Sequence, residues 1–422
     1  MVYVLNQDSQ PLMPTSNHAK VRVLLKQKKA KVVNSCPFTI QLNYDTTSYT
    51  QPVNLGIDAG SKHIGVSATT ESKVLYEADV ELRNDIVNLL STRRENRTSR
   101  RNRKTRYRKP RFSNRVSGKK EGWLAPSVKH KVETHLTVTE KVLKILPVTK
   151  IIVETASFDI QKIKNQNIQG SEYQQGEQLN FWNVREYVLF RDGHICQCCK
   201  EKSKDNILNV HHIESRKVGG DAPNNLVTLC ETCHKGFHKG TIKLPKTIKR
   251  GMSFRDAVFM GIMRWYFFNA LKEQYGKIIC VENTYGYITK NTRISNNLPK
   301  DHYVDARCIS GNPLAKPLGY VFYQKKVRCH NRQIHKNTIL KGGYRKRNQA
   351  DYIVKGFRLF DKVQYHGKPY FIFGRRTSGF FNIRTLDGAK VNKGSISFKK
   401  LKLLDFPRNY LTERRMVAPP TA

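Results

Sequence analysis

Two pairs of closely spaced cysteines constrain this 422-residue chain more than any other feature. The members of each pair are separated by two residues: Cys196 with Cys199, and Cys230 with Cys233. Because this spacing places two thiolates on one side of a tight turn, the two pairs predict one tetrahedral structural Zn²⁺ site. Cys198 is an alternative ligand, although the two-residue gap favours Cys196 and Cys199; a redox function would need only one such pair. We therefore expect the segment from about 183 to 240 to fold around zinc.

A pattern of histidines and asparagines lies between and after the cysteine pairs. Its parts, in chain order, are Asn209-Val210-His211-His212-Ile213, Gly219-Gly220-Asp221, Asn224-Asn225-Leu226 and Cys233-His234-Lys235-Gly236-Phe237-His238. This order resembles the signature of HNH nucleases. Hydrolysis of a phosphodiester needs a base that deprotonates water and a cation that neutralises the charge developing on the phosphate.

The resemblance to HNH nucleases implies roles for individual residues. The second histidine of the pair, His212, is expected to be the general base, and His211 is expected to bind Mg²⁺ or Mn²⁺ together with Asn225 or His238. Whether Asn225, His234 or His238 completes this metal site stays open, because the counterpart of Asn225 orients the base in some HNH enzymes. A zinc finger that only binds would leave the histidine pair and His238 unexplained.

The overall charge of the chain points to a polyanionic partner. Lys and Arg outnumber Asp and Glu by 76 to 33, which gives a net charge of +43 and a pI near 10.0. Nucleic acid fits this charge best, because neutralised phosphates release their counterions. A merely basic surface or an attraction to membranes is the alternative, which the clustering of the charge disfavours. No membrane-spanning segment is expected, because the most apolar stretch, 257 to 271, contains Arg264 and is too short to span a bilayer.

The compartment follows from the N-terminus and the cysteines. The N-terminal segment lacks the basic start and apolar run of a signal peptide. Nine cysteines is an odd number, and the two C-x-x-C pairs favour a metal site over a disulfide scaffold. A reducing compartment, the bacterial cytoplasm, is therefore expected, and no membrane partner.

Positive charge is concentrated between Arg93 and Arg115, where Glu95 is the single acid. Such like charges repel one another on an isolated helix, so phosphates are needed to neutralise them. A helix with arginines on nearly every side would contact nucleic acid from several directions. The candidate nucleic-acid-binding residues are Arg93, Arg94, Arg97, Arg100, Arg101, Arg103, Arg106 and Arg108.

Hydrophobic periodicity and turn residues predict the remaining elements. At the N-terminus they predict a strand at 2 to 5, a turn at Pro11 to Pro14, a helix capped within 15 to 17 and a strand at 30 to 33. Three neighbouring strands follow from Val53. Helices are then predicted at 127 to 146, 254 to 275 and 302 to 310, and strands at 150 to 154 and 277 to 282. From Gly356 onward, short runs between Gly and Asp-Gly turns favour a small β-barrel.

A second candidate site consists of acids at the ends of predicted elements. Asp58 ends one apolar strand at an exposed tip, where Gly60 would let phosphate approach closely, and Glu154 ends another. Asp305 follows His302 by three residues, so both lie on one helix face. These four side chains can hold two Mg²⁺ ions about 4 Å apart. Glu282, which also ends an apolar run, is a plausible decoy.

Taken in order, these segments resemble the IscB family, transposon-encoded RNA-guided nucleases related to the type II CRISPR effector. The resemblance is carried by Pro11-Leu12-Met13-Pro14, Gly56-Ile57-Asp58, Arg100-Arg101-Asn102-Arg103, Val153-Glu154, the HNH segment and Asp301-His302-Tyr303-Val304-Asp305. It implies an α/β multidomain fold: an RNase H-like RuvC core split into three segments, an inserted ββα-metal HNH module, an arginine-rich bridge helix and a C-terminal small β-barrel.

The family's architecture implies seven regions in this chain. They are an N-terminal PLMP domain (1–50), RuvC segment I (51–90), the bridge helix (91–118), RuvC segment II (119–180), the HNH module (181–245), RuvC segment III (246–320), and a basic segment with the barrel (321–422). The last region is expected to contact RNA and a short motif beside the target, with Arg and Lys between Lys325 and Arg384 as candidates.

The resemblance also implies an activity and partners. A guide omega RNA would pair with one strand of double-stranded DNA; HNH would cut that strand, and Asp58, Glu154, His302 and Asp305 would cut the displaced one. The protein is expected to be a monomer in a ribonucleoprotein. The alternatives are a protein-guided endonuclease of homing or junction-resolving type, and an RNA-binding transposition accessory factor without nuclease activity.

Overall fold

The computed structural model describes residues 1–102, 122–155, 178–202, 205–215, 220–251, 255–328, 338–339, 345–346, 351–406 and 409–417. The chain divides into two compact units: the first comprises Met1–Ala156 and Met260–Ala422, and the second comprises Ser157–Phe259. No helix in the described ranges is long and apolar enough to cross a membrane. None of the eight cysteines of these ranges forms a disulfide bond.

A seven-stranded sheet forms the core of the first unit. Its strand order is β11-β8-β5-β6-β7-β12-β20. Strands β5, β6 and β7 are neighbours in this sheet, as the three apolar runs predict, and they form an antiparallel meander. Strand β8 lies parallel to β5, and β11 lies parallel to β8. The strands are β5 Asn54–Ala59, β6 His63–Thr69, β7 Val74–Glu81, β8 Lys150–Thr155, β11 Cys280–Tyr285, β12 Tyr320–Lys326 and β20 Tyr410–Met416.

Helices connect and cover this sheet. Those of the first unit and its boundary are α2 Ile86–Asn102, α3 Pro126–Leu143, α6 Arg255–Tyr275, α7 Gly286–Ser295 and α8 His302–Ile309. The arginine-rich helix α2 begins before the predicted residue 91. The rest of the predicted bridge lies outside the described residues. Strand β11 begins and ends three residues later than predicted, so Glu282 lies inside the strand and not at its end. The Glu282 carboxylate forms an ion pair with Lys150 at 2.8 Å.

Two strand glycines bring helix α8 onto the sheet. A Cβ on Gly56 of β5 would lie 2.0 Å from the carbonyl oxygen of Ala306, and a Cβ on Gly65 of β6 would lie 1.9 Å from that of His302. Any side chain at either position would therefore push the helix backbone away. The missing side chains let α8 lie directly over the end of β5.

The N-terminal module is a four-stranded sheet of order β2-β1-β4-β3 with helix α1, His18–Lys26. Its strands are β1 Val2–Leu5, β2 Pro11–Thr15, β3 Ala30–Ser35 and β4 Phe38–Leu42. The side chain of Asn17 caps α1 by accepting a hydrogen bond from the Lys20 amide at 2.9 Å. Pro11 to Pro14 was predicted as a turn but forms strand β2, paired with β1 on the sheet edge, where a proline that lacks an N–H is tolerated.

The C-terminal region contains a five-stranded antiparallel sheet of order β18-β17-β16-β15-β19. Its strands are β15 Lys362–Tyr365, β16 Lys368–Arg375, β17 Phe380–Arg384, β18 Ile396–Ser397 and β19 Lys402–Asp405; β13 Thr338–Ile339 and β14 Arg345–Lys346 form a separate hairpin. Val363, Ile372 and Phe381 are fully buried in its core. β12, which begins at the predicted boundary of 320, and β20 belong to the central sheet, so that sheet extends into the region predicted to be separate.

The second unit is small and mixed. It contains α4 Val184–Arg191, β9 Leu208–His212, β10 Leu226–Cys230 and α5 Glu231–Lys239, with one 3₁₀ turn at Pro223–Asn225. Strands β9 and β10 pair antiparallel, so that His211 faces Val227 across the ladder and His212 faces Leu226. Helix α5 follows β10 without a loop, because Cys230 is its N-cap residue.

Candidate metal centres

Four cysteine sulfurs of the second unit come together as the spacing predicts. Cys196, Cys199, Cys230 and Cys233 place their sulfurs all within 4.8 Å of one another, and Cys198 is not part of this group. The Cys199 and Cys230 sulfurs are 3.7 Å apart. Burial and the neighbouring cysteines raise the pKa of the Cys233 thiol, which disfavours the thiolate form. A bound cation would favour the thiolate again. Four crowded sulfurs on two knuckles fit a structural Zn²⁺.

Three histidines of the second unit form another cluster. Nitrogens of His211, His234 and His238 all lie within 4.8 Å of one another. His234 and His238 are four residues apart on α5 and therefore share one face of the helix, which is turned toward His211 on β9. Their ring centroids lie 5.2 Å and 5.3 Å from that of His211. The sequence had left open whether His234 contributes, and the geometry brings it into the cluster.

The histidine cluster has the properties of a cation site. The Nε2 atom of His211 is buried without a hydrogen-bond partner, and the Nε2 atoms of His234 and His238 are 3.3 Å apart. Burial, followed by the nearby His234 and His238, lowers the pKa of His211 to about 4. Three imidazoles with converging nitrogens therefore fit a divalent metal, and imidazole is a better ligand for transition metals than for Mg²⁺.

His212 lies beside this cluster and has a different partner. Its Nε2 atom is 2.9 Å from Oδ1 of Asp221. If Nε2 carries the ring proton and donates a hydrogen bond to this carboxylate, Nδ1 has no proton and can accept one. This is the arrangement in which an acid orients a general base. Sequence reasoning assigned no role to Asp221, although it included the residue in the Gly219-Gly220-Asp221 motif.

Asn225 is engaged in backbone hydrogen bonds. Its side-chain oxygen accepts from the Glu214 amide at 2.9 Å, and its side-chain nitrogen donates to the carbonyls of Glu214 and Gly220, both at 3.0 Å. The residue is fully buried and is not a member of the histidine cluster. The geometry thus favours His238 and His234 over Asn225 as metal ligands, and gives Asn225 the task of holding the loop after His212.

Two residues of the second predicted site, His302 and Asp58, meet at the end of β5. The Nδ1 atom of His302 is 2.7 Å from Oδ2 of Asp58, and this hydrogen bond raises the pKa of His302. Asp58 was expected at an exposed strand tip, but it is buried under helix α8, with 7% of its surface exposed. Gly60 was expected to admit phosphate; a Cβ there would lie 2.2 Å from the carbonyl oxygen of His63, so a tight turn requires the glycine.

Two arginines hold the other two carboxylates. The Nη1 atom of Arg264 is 3.0 Å from Glu154 Oε1, and its Nε donates to the carbonyl of Ala59 at 2.8 Å. The Nε atom of Arg293 is 3.0 Å from Asp305 Oδ1. Sequence reasoning missed both arginines. Arg264 stands out in the sequence only as an interruption of an apolar stretch, and no motif includes Arg293.

The three carboxylates influence one another's ionisation, but they are not among the groups whose ligand atoms all lie within 4.8 Å of one another. Burial raises the pKa of Glu154, Arg264 opposes that shift, and Asp58 and Asp305 add to it. Burial, then Asp58, raises the pKa of Asp305. Asp58 thus disfavours the charge on both Glu154 and Asp305, and a hard cation with oxygen ligands such as Mg²⁺ would offset this effect. His63, which the sequence did not single out, stacks on His302 with ring centroids 5.2 Å apart and bonds Asp79 at 2.9 Å.

Comparison with known families connects these sites to a class of protein. Residues 2–176 match the family model described as RRXRR protein, and residues 196–240 match the model described as HNH endonuclease. The chain combines an RRXRR region with an HNH domain, as expected of an IscB-like nuclease. It is a nuclease, and its second unit carries the HNH endonuclease domain.

Individual relatives of this IscB-like nuclease cover only parts of it. A protein of Nostoc named Anaredoxin is 35% identical over 54 residues, which are 13% of this chain and 68% of that protein. Crystal structures of Streptococcus thermophilus Cas9 with AGGA and GGAA PAM sequences are 17% and 16% identical, with TM-scores of 0.31 and 0.34. They cover 44% and 50% of this chain, which spans 26% and 29% of the Cas9 chains.

The arginine-rich segment of the IscB-like nuclease is described in part. Arg93, Arg94 and Arg97 lie on α2 with exposed side chains. The side chains of Arg100 and Arg101, and the whole of Arg103, Arg106 and Arg108, lie outside the described residues. Their role in binding nucleic acid stays a prediction.

Replacing Cys230 with serine is expected to remove zinc although serine can still supply an N-cap group for α5. The Cys230 sulfur accepts a hydrogen bond from the Cys233 amide at 3.5 Å, and a serine oxygen is an equally good cap. A serine is not a zinc thiolate, however, so the HNH domain should lose its metal and unfold. Metal analysis and thermal melting measure both effects. Cys198→Ser is the matched control and should keep its zinc; a Cys230→Ser protein with a full equivalent of zinc would refute this assignment.

Proposed function

We propose that this chain is an RNA-guided DNA endonuclease in which the HNH domain cuts the guide-paired strand and the carboxylate site cuts the displaced strand. The observation that carries this proposal is that two candidate metal centres of different chemistry occur, one on each unit of a single chain. Two such centres suit the cutting of two strands that are presented differently, one paired and one single. One centre would suffice for a nickase.

In the HNH domain, His212 would take a proton from the attacking water. Asp221 holds its imidazole through Nε2, so that Nδ1 is available as the base. His211, His234 and His238 would hold the divalent cation, which when bound stabilises the negative charge on the scissile phosphate. Phe237 packs edge-on against His211 at 4.7 Å and fixes its ring.

The carboxylate site would be the RuvC nuclease. Strand order β11-β8-β5-β6-β7, with only β6 antiparallel to both neighbours, is the arrangement expected of an RNase H-like core. Its parts come from three separated stretches of sequence, which matches the proposed split into three segments. Asp58, Glu154 and Asp305 would hold Mg²⁺, which when bound activates water and stabilises the leaving oxygen. Arg264 would keep Glu154 ionised and aligned with the end of β5.

Two ligand sets imply two metal preferences. Imidazoles bind Mn²⁺, Co²⁺, Ni²⁺ or Zn²⁺ more readily than Mg²⁺, whereas carboxylates and water suit Mg²⁺ and Mn²⁺. Mn²⁺ would therefore serve both sites. The sequence interpretation assigned Mg²⁺ or Mn²⁺ to both; the three histidines favour Mn²⁺ or another transition metal for HNH.

The proposed guide is an omega RNA, held in a ribonucleoprotein with one protein chain. The net charge of +43 and the exposed arginines of α2 support binding to an RNA backbone, since base pairing would read the sequence. The C-terminal region would contact the RNA and a short motif flanking the target. We place the complex in the bacterial cytoplasm, in association with a transposon.

The test is to purify the protein from cells that carry its native locus and to sequence the RNA bound to it. A discrete RNA is expected, and its guide should program cleavage of a plasmid library that carries the matching target beside randomised flanks. Treatment with RNase before the addition of DNA should abolish cutting. Cleavage that survives this treatment would instead support a protein-guided endonuclease.

A further inference from the structure

Two exposed tyrosines lie at the edge of the carboxylate site. Tyr285 is the last residue of β11 and Tyr287 is in the first turn of α7. Their rings are nearly parallel, with centroids 6.1 Å apart and an interplanar angle of 11°. Tyr285 is 42% exposed and Tyr287 is 66% exposed. The pair therefore offers aromatic surface to solvent.

The backbone ties this pair to Glu154. A Cβ on Gly286, the residue between the tyrosines, would lie 3.1 Å from Glu154 Oε1. In the sheet, Thr284 pairs with Glu154 and Tyr285 with Thr155. The two tyrosines thus flank Gly286, the residue whose backbone lies next to the Glu154 carboxylate.

Further cationic and apolar side chains are exposed on α7, and another lysine lies near the carboxylate site. Lys290 is exposed on α7, three residues after Tyr287 and hence on the same helix face. Lys300 lies close enough to Asp305 to oppose the rise in the pKa of that carboxyl. Ile288 and Ile294 add exposed apolar surface, at 42% and 54%. Aromatic faces next to exposed lysines match a nucleic acid strand with unstacked bases and a charged backbone.

We propose that Tyr285 and Tyr287 form a stacking subsite for bases of single-stranded DNA, which aligns the displaced strand over the carboxylate site. The inference rests on the proposed cutting of that strand by this site. A paired duplex hides its base faces, so only an unpaired strand can use these rings. Lys290 and Lys300 would attract the adjacent phosphates, and the next phosphate along would reach the carboxylates.

The first test is photocrosslinking with the intact protein–RNA complex. The displaced strand of the target carries 5-iodouracil at successive positions, and the protein carries Asp58→Asn and His212→Ala so that the DNA stays whole. Irradiation is expected to link a base near the cleavage site to Tyr285 or Tyr287, identified by mass spectrometry of peptides. Crosslinks confined to other residues would overturn the proposal.

Failure of RNA guidance is distinguishable from failure of stacking. If no RNA-dependent complex forms, the same crosslink is sought with a free single-stranded iodouracil oligonucleotide and the protein alone. A link to the tyrosines then supports the subsite without the guide. Its absence, together with normal binding of the oligonucleotide, counts against the subsite.

The second test measures cleavage in the His212→Ala background, where only the displaced strand is cut. Tyr285→Ala with Tyr287→Ala should raise KM for a single-stranded substrate roughly 5- to 150-fold for each base that loses its stack. The phenylalanine double variant should restore KM, because a phenyl ring stacks as tyrosine does. Tyr49→Ala, at a tyrosine that is 91% exposed outside the sheets, is the control. An unchanged KM in the alanine variant, or a failure of phenylalanine to restore it, would refute stacking.

Discussion

Alanine at His212 is expected to convert double-strand cleavage into a single nick in the displaced strand. A positioned general base contributes a factor of about 10² to 10⁴ to such a reaction, so cutting of the guide-paired strand should slow by that amount. His211, His234 and His238 are untouched, so metal binding and folding should be normal. A target labelled separately on each strand, resolved on a denaturing gel, measures both rates.

Two further substitutions sharpen this result. Asp58→Asn keeps the shape of the side chain and removes its charge, and it should give the opposite nick, in the paired strand alone. Asp221→Asn should slow the paired strand less than His212→Ala does, because Asp221 acts only through the histidine that it orients. Linear product from either His212→Ala or Asp58→Asn would contradict the division of labour between the two sites.

Local patterns predicted the local parts of the structure well. The cysteine spacing predicted four sulfurs that do come together, and Asn17 caps its helix because its side chain reaches an amide three residues away. In both cases the interacting groups are near in sequence or share one strict geometric rule. The turn expected at Pro11 to Pro14 was wrong because pairing with β1, a tertiary interaction, overrides what two prolines favour locally.

Residues that depend on distant packing could not be derived in the same way. Arg264 contacts Ala59, which is 205 residues away, and His63 stacks on His302. The residues next to them in the sequence give no sign of these contacts, because strands β5 and β8 and helix α8 come from separated segments of the chain. His234 is an intermediate case: its i, i+4 spacing from His238 was visible, but the turn of that helix face toward His211 was not.

Valine at Gly65 is expected to abolish cutting by the carboxylate site while the HNH domain continues to nick the paired strand. A Cβ there would lie 1.9 Å from the His302 oxygen and 2.3 Å from its carbonyl carbon. Because both are backbone atoms, no rotamer change relieves the overlap, and α8 must move. That helix carries His302 and Asp305, and a shift of about 1 Å at a reacting group can cost roughly 10²-fold in rate.

Overpacking of this kind also lowers the free energy of unfolding by about 1–3 kcal/mol, so folding and catalysis must be measured separately. Thermal melting follows the first, and strand-specific nicking at a temperature well below the transition follows the second. Gly374→Val is the control, because a Cβ on that strand glycine would make only an ordinary 3.4 Å contact with Asn382. If Gly65→Val cut the displaced strand at the normal rate, α8 could not be what places His302 and Asp305 over Asp58, and those residues would have to be excluded from the site.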